Sequence, residues 1–161
     1  MRPREASGLR LSVLIIAGTV SLVLLLLSLL IPFLPESLSR SADPVLSAAC
    51  HRLPSRSIQL PWGVSGLCAR CTAFWGGVTA GVAMILLTRR KALGLPVAFI
   101  LLLPLILDGS LQYLGLYESS NTVRVVTGAS CGLGLASILA ALSTKRGESR
   151  QDGPPVADNR Q

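Results

Sequence analysis

The sequence predicts an all-α integral membrane protein, folded as a compact bundle of four transmembrane helices with a structured outer loop between the first two. Half of its 161 residues are apolar, only 14% are charged, and the mean hydropathy is +0.59. That composition is typical of a chain dissolved in lipid. Four apolar runs are long enough to cross a membrane, and short links join the last three, so we expect one bundle.

The predicted elements follow the chain in order. Residues 11–34 carry no charge and exceed the roughly 20 residues that a helix needs to cross a hydrocarbon core. By hydropathy, three further spans cover residues 72–88, 93–116 and 122–142. Residues 35–71 form the outer loop, and residues 1–142 make one domain. Residues 143–161 are charged and rich in Gly and Pro, so we expect a disordered cytoplasmic tail.

Basic residues beside the spans predict the orientation. They precede the first span, separate the second from the third and follow the fourth, at Arg2, Arg4, Arg10, Arg89, Arg90, Lys91, Lys145 and Arg146. With four crossings all three groups fall on one side, which the positive-inside rule makes cytoplasmic. We therefore expect a multi-pass protein of the cell (inner or plasma) membrane with both termini inside. The net charge of +7 reflects this topology, and no basic stripe interleaved with aromatics indicates a nucleic-acid partner.

Three of the four cysteines are predicted to gather at the outer membrane face. Cys50 and His51 lie in the outer loop, and Cys68 and Cys71 come just before the second span, at the same face. Only Cys131 lies within an apolar helix, where cysteine behaves as a small hydrophobe. Exported thiols meet an oxidising milieu and tend to become disulfides, metal ligands or redox groups.

The spacing of these residues favours a metal site. Cys50, His51, Cys68 and Cys71 supply three thiolates and one imidazole, a donor set that suits tetrahedral zinc. Such a site is structural if all four residues coordinate, whereas an open fourth position permits catalysis. The first hypothesis is therefore an outward-facing zinc site, and the pattern does not decide whether the protein is an enzyme.

Two other classes of function stay open. Cys68 and Cys71, at the positive end of a helix dipole, could be the redox pair of a membrane thiol-disulfide oxidoreductase that uses a quinone or a thiol partner. The same thiols could instead form a plain disulfide, which the odd count of three outer cysteines disfavours. The third class is a non-catalytic accessory subunit of a larger membrane complex, or a lipid-binding module in contact with the bilayer.

Polar residues within the third and fourth spans predict a pocket near the thiols. Asp108 is the one acid inside a span, and Gln112 lies one turn away on the same face. Acids at such depth face the bundle interior and pair with another group. Arg124, near the start of the fourth span, is the predicted partner. The candidate catalytic residues are accordingly Asp108, Gln112, Arg124, Cys68 and Cys71.

Arginines near the thiols are candidate contacts for an anionic cofactor or ligand. They are Arg52, Arg56 and Arg70, and lipid phosphates are the simplest partners of guanidinium groups at a membrane surface.

Small residues at four-residue spacing on the second and fourth spans predict close packing of these helices in the bundle. They are Ala73, Gly77, Gly81, Gly128, Gly132 and Ala136.

The combined motifs resemble an uncharacterised family of small bacterial and archaeal multi-span membrane proteins, classed as a domain of unknown function. The residues that carry the resemblance are Cys50-His51-Arg52, Arg56-Ser57, Cys68-Ala69-Arg70-Cys71-Thr72, Asp108-Gly109, Gln112, Asn121, Arg124, Thr127 and Gly128. Ala73 stands where the family typically has Gly, and Ile58 stands where an aromatic is expected. The resemblance implies a multi-span membrane protein with these shared polar residues, and it brings no established activity.

Overall fold

The computed structural model describes residues 3–88 and 93–148 and contains five α-helices and one β-hairpin within them. The elements, in chain order, are α1 (Pro3–Leu30), α2 (Glu36–Ala49), β1 (Ser57–Leu60), β2 (Gly63–Cys68), α3 (Ala69–Thr88), α4 (Leu95–Tyr113) and α5 (Asn121–Glu148). The helices α1, α3, α4 and α5 contain segments long and apolar enough to cross a membrane. The predicted bundle of four transmembrane helices is thereby confirmed.

The observed helix ends differ from the predicted span ends by a few residues. α3 begins three residues early, at Ala69, because β2 runs directly into it without a linker. α4 ends at Tyr113 rather than at 116, because Gly115 adopts a positive φ of 69° just beyond the helix. α5 continues to Glu148, so residues 143–148 of the predicted tail are helical. The rest of that tail and the basic cluster 89–91 lie outside the described residues.

α5 is the centre of the bundle and contacts the other three spanning helices. It approaches α3 most closely, because small residues on both helices let the two backbones touch. A Cβ atom added to Gly132 would lie 2.2 Å from the carbonyl oxygen of Phe74, and one added to Gly77 would lie 2.4 Å from that of Ala129. The small-residue spacing predicted close backbone packing of both helices, and the structure shows that they pack on each other.

The segment between α1 and α3, predicted as a loop, contains a helix and a β-hairpin. α2 buries Ala42 and Leu46, which pack against Leu67 of the hairpin. β1 and β2 pair in antiparallel orientation, with Leu60 opposite Gly63 next to the turn. The register is irregular between Ser57 and Gln59. The hairpin is tied to α1 because the buried Ser28 hydroxyl accepts a hydrogen bond from Leu67 N–H at 3.1 Å.

α1 ends, α3 begins, α4 ends and α5 begins at one end of the bundle, which we call the cysteine end. The helix α2 and the hairpin cover this end, and the chain between them passes through Cys50. The hydroxyls of Ser28 and Thr72 are 3.0 Å apart beneath this cover. The cover therefore holds the cysteine-bearing segments in fixed positions relative to the spanning helices.

Candidate metal centre

Three thiols meet at the cysteine end. Cys50 follows the last residue of α2, Cys68 ends β2, and Cys71 lies in the first turn of α3. Their sulfur atoms all lie within 4.8 Å of one another, and each residue is half-buried and carries a free thiol. Two of the three segments adjoin in sequence, whereas Cys50 is brought in by the packing of α2 on the hairpin.

Backbone N–H groups surround the sulfur of Cys50. The N–H groups of Arg52 and Cys68 each lie 3.5 Å from this sulfur. Arg52 adopts a φ of 53°, a left-handed conformation that non-glycine residues rarely take and that costs about 1 kcal/mol or more. The left-handed turn at Arg52 and the two N–H donors therefore fix the position of the Cys50 sulfur beside the other two thiols.

The thiol of Cys68, at the end of β2, is acidic. A hydrogen bond with the Cys71 thiol outweighs the opposing effect of burial and lowers the pKa of Cys68 to about 5. Cys71 also lies 3.9 Å from the carbonyl oxygen of Ala49, at the end of α2. At neutral pH the cluster therefore holds at least one thiolate.

His51 stands outside the cluster, although its spacing predicted it as the fourth ligand. Among the described residues the group of adjacent ligand atoms contains Cys50, Cys68 and Cys71, and the exposed His51 is not part of it. Neighbouring side chains on an extended backbone diverge, and Cys50 is extended. The imidazole instead lines the cavity next to the thiols.

That cavity has a volume of about 350 Å³ and opens beside the three thiols. Its walls come from the end of α2, the segment after it, and the ends of α3, α4 and α5. Four guanidinium groups and one amide line it, from Arg52, Arg56, Arg70, Arg124 and Gln112. The residues predicted separately as thiol, polar-pocket and anion-contact groups thus share one space, apart from Asp108, which lies behind it.

Asp108 pairs with Arg70 rather than with Arg124, so the predicted partner was wrong. The carboxylate is 4% exposed and accepts hydrogen bonds from the Arg70 guanidinium and the Tyr117 hydroxyl. Arg70 also donates to Oε1 of Gln112 at 3.1 Å. The predicted partner lies on the fourth span, whereas the observed ion pair joins α4 to the first turn of α3.

Arg124 occupies a different environment. It is 7% exposed, and its guanidinium donates to Oδ1 of Asn121 at 2.9 Å. Within residues 3–88 and 93–148, no carboxylate lies at ion-pair distance from it. Arg124 also borders a second cavity of about 350 Å³, whose walls include Arg56 and Glu118.

Arg52 and Arg56, the other predicted anion contacts, differ in their partners. Arg52 forms an ion pair with Asp43 and donates through Nε to the carbonyl oxygen of Gly66 at 3.0 Å. Arg56 is exposed, and in the part of the chain that the structure describes it has no ion-pair partner. Neither Asp43 nor Tyr117 was identified from the sequence, because their spacing to their partners follows no local motif.

Comparisons with known proteins match a segment of the chain that includes these residues. A family model described as "predicted membrane protein (DUF2085)" matches residues 50–138, a segment that begins at Cys50 and ends within α5. An uncharacterised protein of Methanothermobacter thermautotrophicus is 32% identical over 95 residues, which are 58% of this chain and 86% of that protein. An uncharacterised protein of Methanocaldococcus jannaschii is 33% identical over 92 residues, or 55% and 59% of the two chains. No solved structure matches.

Proposed function

The chain belongs to the DUF2085 family of predicted membrane proteins. We propose that it is a membrane metalloprotein in which Cys50, Cys68 and Cys71 bind a metal ion, zinc by preference. The observation that carries the proposal is the approach of the three sulfur atoms to within 4.8 Å of one another. Three thiolates around one ion make a soft donor set, which selects zinc over magnesium or calcium.

The surroundings of the cluster support metal binding. The two N–H groups at the sulfur of Cys50 stabilise a ligating thiolate and fix its direction, as outer-shell donors do in metal sites. Three thiolates crowded together without a cation would repel one another. A divalent ion offsets that repulsion and links α2, β2 and α3 at one point.

A metal ion held by the three thiols would keep one coordination position for a ligand from outside the cluster. His51 borders the cavity but lies outside the cluster, and guanidinium groups cannot ligate a metal. Water or an exogenous ligand would complete the tetrahedron, which is the arrangement of catalytic rather than structural zinc. In a reaction there, Gln112 and Arg124 would contact the substrate from the cavity wall, and Asp108 would position Arg70.

Metal analysis of purified protein tests the proposal. We expect one zinc per chain in the wild type and loss of that zinc in Cys50→Ser, Cys68→Ser and Cys71→Ser. Cys131→Ser is the matched control, because Cys131 is a buried cysteine on α5 outside the cluster and its loss should leave the metal in place. His51→Ala should also retain zinc. Absence of stoichiometric metal from wild-type protein prepared with reductant would refute the metal site.

The cysteine end faces outward in this proposal, as the basic residues near the opposite ends of the spans indicate. A membrane-impermeant maleimide applied to intact cells tests the orientation, after chelation has freed the thiols. Cys50 should be labelled in a variant that lacks the other three cysteines. A single cysteine placed at the tail residue Ser149 should be labelled only after the cells are broken.

A thiol-disulfide oxidoreductase is the second candidate function, favoured by the hydrogen-bonded pair of Cys68 and Cys71. In this function the two thiols would lose two protons and two electrons to a quinone and become a disulfide. Thiol counting on denatured protein, after purification without reductant and removal of metal, separates the two functions. Four free thiols per chain indicate metal binding, whereas two indicate an oxidised pair.

A further inference from the structure

Arg124 is a buried positive charge without a counter-ion in the described part of the chain. Its side chain lines the cavity beside the thiols and is 7% exposed. A single hydrogen bond to the neutral Asn121 amide does not neutralise a guanidinium, which stays protonated at any physiological pH. Burying such a charge unpaired is costly, so an anion in the cavity would supply the missing partner.

Two of the other three guanidiniums at the cavity have ion-pair partners. Arg52 is paired with Asp43, and Arg70 is paired with Asp108. Arg56, which borders the same cavity, shares with Arg124 the lack of an ion-pair partner among the described residues. Two guanidiniums without an ion-pair partner therefore face one space whose described lining includes no carboxylate and, as acidic groups, only the three thiols.

Two further donors at the cavity are unsatisfied. Nε of Arg70 and Nε2 of Gln112 are buried and have no hydrogen-bond partner, and both side chains line the cavity. Buried donors are normally paired with a protein or solvent acceptor. Because these two N–H groups and the two guanidiniums come from three different helices and a loop, they indicate one acceptor with several oxygens.

From these observations we infer that the cavity beside the thiols is a binding site for a phosphoryl group, held by Arg56 and Arg124. A phosphoryl group presents three or more oxygens in a tetrahedral arrangement, whereas a carboxylate presents two in a plane. The former suits donors that converge from several sides, and guanidinium forks match it well. Glu118 borders the second cavity, so repulsion there favours the space beside the thiols.

The phosphoryl group has two possible sources. The cavity lies at one end of the spanning helices, near the depth of lipid headgroups, so the phosphodiester of an anionic lipid can reach it. Inorganic phosphate or a soluble phosphate ester is the other source. The site does not depend on the proposed metal, because Arg56, Arg70, Gln112 and Arg124 are not metal ligands.

Titration calorimetry on delipidated, chelator-treated protein in an uncharged maltoside detergent tests the inference. One arm uses inorganic phosphate and the other uses dioctanoyl phosphatidylglycerol, both at constant ionic strength. The variants are Arg56→Gln and Arg124→Gln, with Arg40→Gln as the matched control. Arg40 is an exposed arginine on α2 whose partner is Glu36, and it does not border the cavity.

We expect saturable binding in at least one arm, and the arm that binds identifies the source. Arg56→Gln and Arg124→Gln should weaken that binding by about tenfold to a hundredfold, the loss expected for one charge-assisted hydrogen bond, whereas Arg40→Gln should leave it unchanged. Because Arg56 is exposed, its variant should fold even if Arg124→Gln does not. No saturable binding in either arm, or equal affinity in Arg56→Gln and Arg40→Gln, would overturn the inference.

Discussion

The middle of the α3–α5 contact and the cysteine end of the same two helices use opposite kinds of packing. In the middle, Gly132 and Gly77 bring the two backbones together and leave no room for another atom. At the cysteine end, charged side chains separate the elements and leave a cavity of about 350 Å³. The contrast shows that a tightly packed helix pair can carry an open polar site at one end.

The two regions are joined at Arg70. A Cβ atom added to Gly128 would lie 2.3 Å from the carbonyl oxygen of Arg70 and 3.2 Å from the amide nitrogen of Phe74. The last close backbone contact of the helix pair therefore sets the position of the residue that pairs with Asp108. Packing fixes the backbone of Arg70, and the ion pair fixes its side chain.

The largest loss of stability is expected when a side chain is added in the packed middle of the α3–α5 contact. Gly132→Ala places a methyl group against the Phe74 carbonyl and the Val78 amide, and α3 and α5 must separate because neither backbone can give way. We expect a destabilisation of about 3 kcal/mol or more, at the upper end for overpacked cores. Thermal unfolding in detergent, read by loss of monodisperse protein, measures it.

Gly76→Ala is the matched control for that variant. Gly76 lies on α3 as well, but a Cβ atom there would meet only the end of the Leu25 side chain, at 3.8 Å. The control should unfold at the wild-type temperature. Equal losses in the two variants would show that the close α3–α5 contact contributes no special stability.

A slightly smaller effect is expected for the buried ion pair. Asp108→Asn leaves the Arg70 guanidinium without its counter-ion, which costs about 3 kcal/mol when one partner of a buried pair is removed. Glu36→Gln breaks the exposed pair with Arg40, whose side chains are more than three-quarters exposed, and should cost less than about 1 kcal/mol. Urea or thermal unfolding of both variants gives the comparison.

The double variant Asp108→Asn/Arg70→Gln sharpens this prediction. With both charges removed, neither member of the pair is left as a buried charge without its partner, so part of the lost stability should return. A double variant less stable than Asp108→Asn would mean that Arg70 contributes chiefly through its contacts with the rest of the cavity wall.

A moderate effect is expected for the hydroxyl that joins α1 to the cover of the cysteine end. Ser28→Ala leaves the Leu67 N–H without its acceptor and removes the contact with Thr72, at a cost of about 1–3 kcal/mol for an unsatisfied buried donor. Ser39→Ala, which loses an exposed bond within α2, is the control. Hydrogen exchange at Leu67 should accelerate in Ser28→Ala and stay unchanged in Ser39→Ala.

The smallest effect on stability is expected for the hydrogen bond between Tyr117 and Asp108. The phenol hydroxyl donates to Asp108, which raises the pKa of Tyr117. The stabilisation belongs to the protonated phenol, so it is present below the ordinary pKa of tyrosine, about 10, and is lost as pH rises through the raised pKa of the folded state. In an ultraviolet titration, Tyr117→Phe should remove the late-titrating phenol, whereas Tyr113→Phe should retain it.

Much of the fold could be predicted because it depends on local composition. Uncharged runs specify spanning helices wherever they occur, since backbone groups in lipid must be satisfied within the helix. The small-residue spacing on residues 73–81 and 128–136 likewise predicted that these helix faces pack closely. The helix α2 and the hairpin were missed as regular elements, because a proline, Pro44, lies inside the first and the strands are short.

The candidate site was predicted in its residues but not in its pairings. Cys50, Cys68 and Cys71 were grouped correctly because topology alone brings them to one end. The partner of Asp108 was misassigned, because a guanidinium at the start of α3 and a carboxylate far along the chain in α4 have no shared sequence pattern. His51 was expected with the thiols and lies outside them, since chain proximity does not give side-chain direction.

The sequence by itself therefore determined the four spanning helices, the small-residue faces of α3 and α5 and the thiols that gather at the cysteine end. These features follow from hydropathy and residue size, which act over a few turns of one helix. The tertiary structure alone decided that Arg70 neutralises Asp108 and that Arg124 faces the cavity without a carboxylate partner in the described chain. The reason is that ion pairing between helices depends on their relative rotation, which the packed backbone contacts fix.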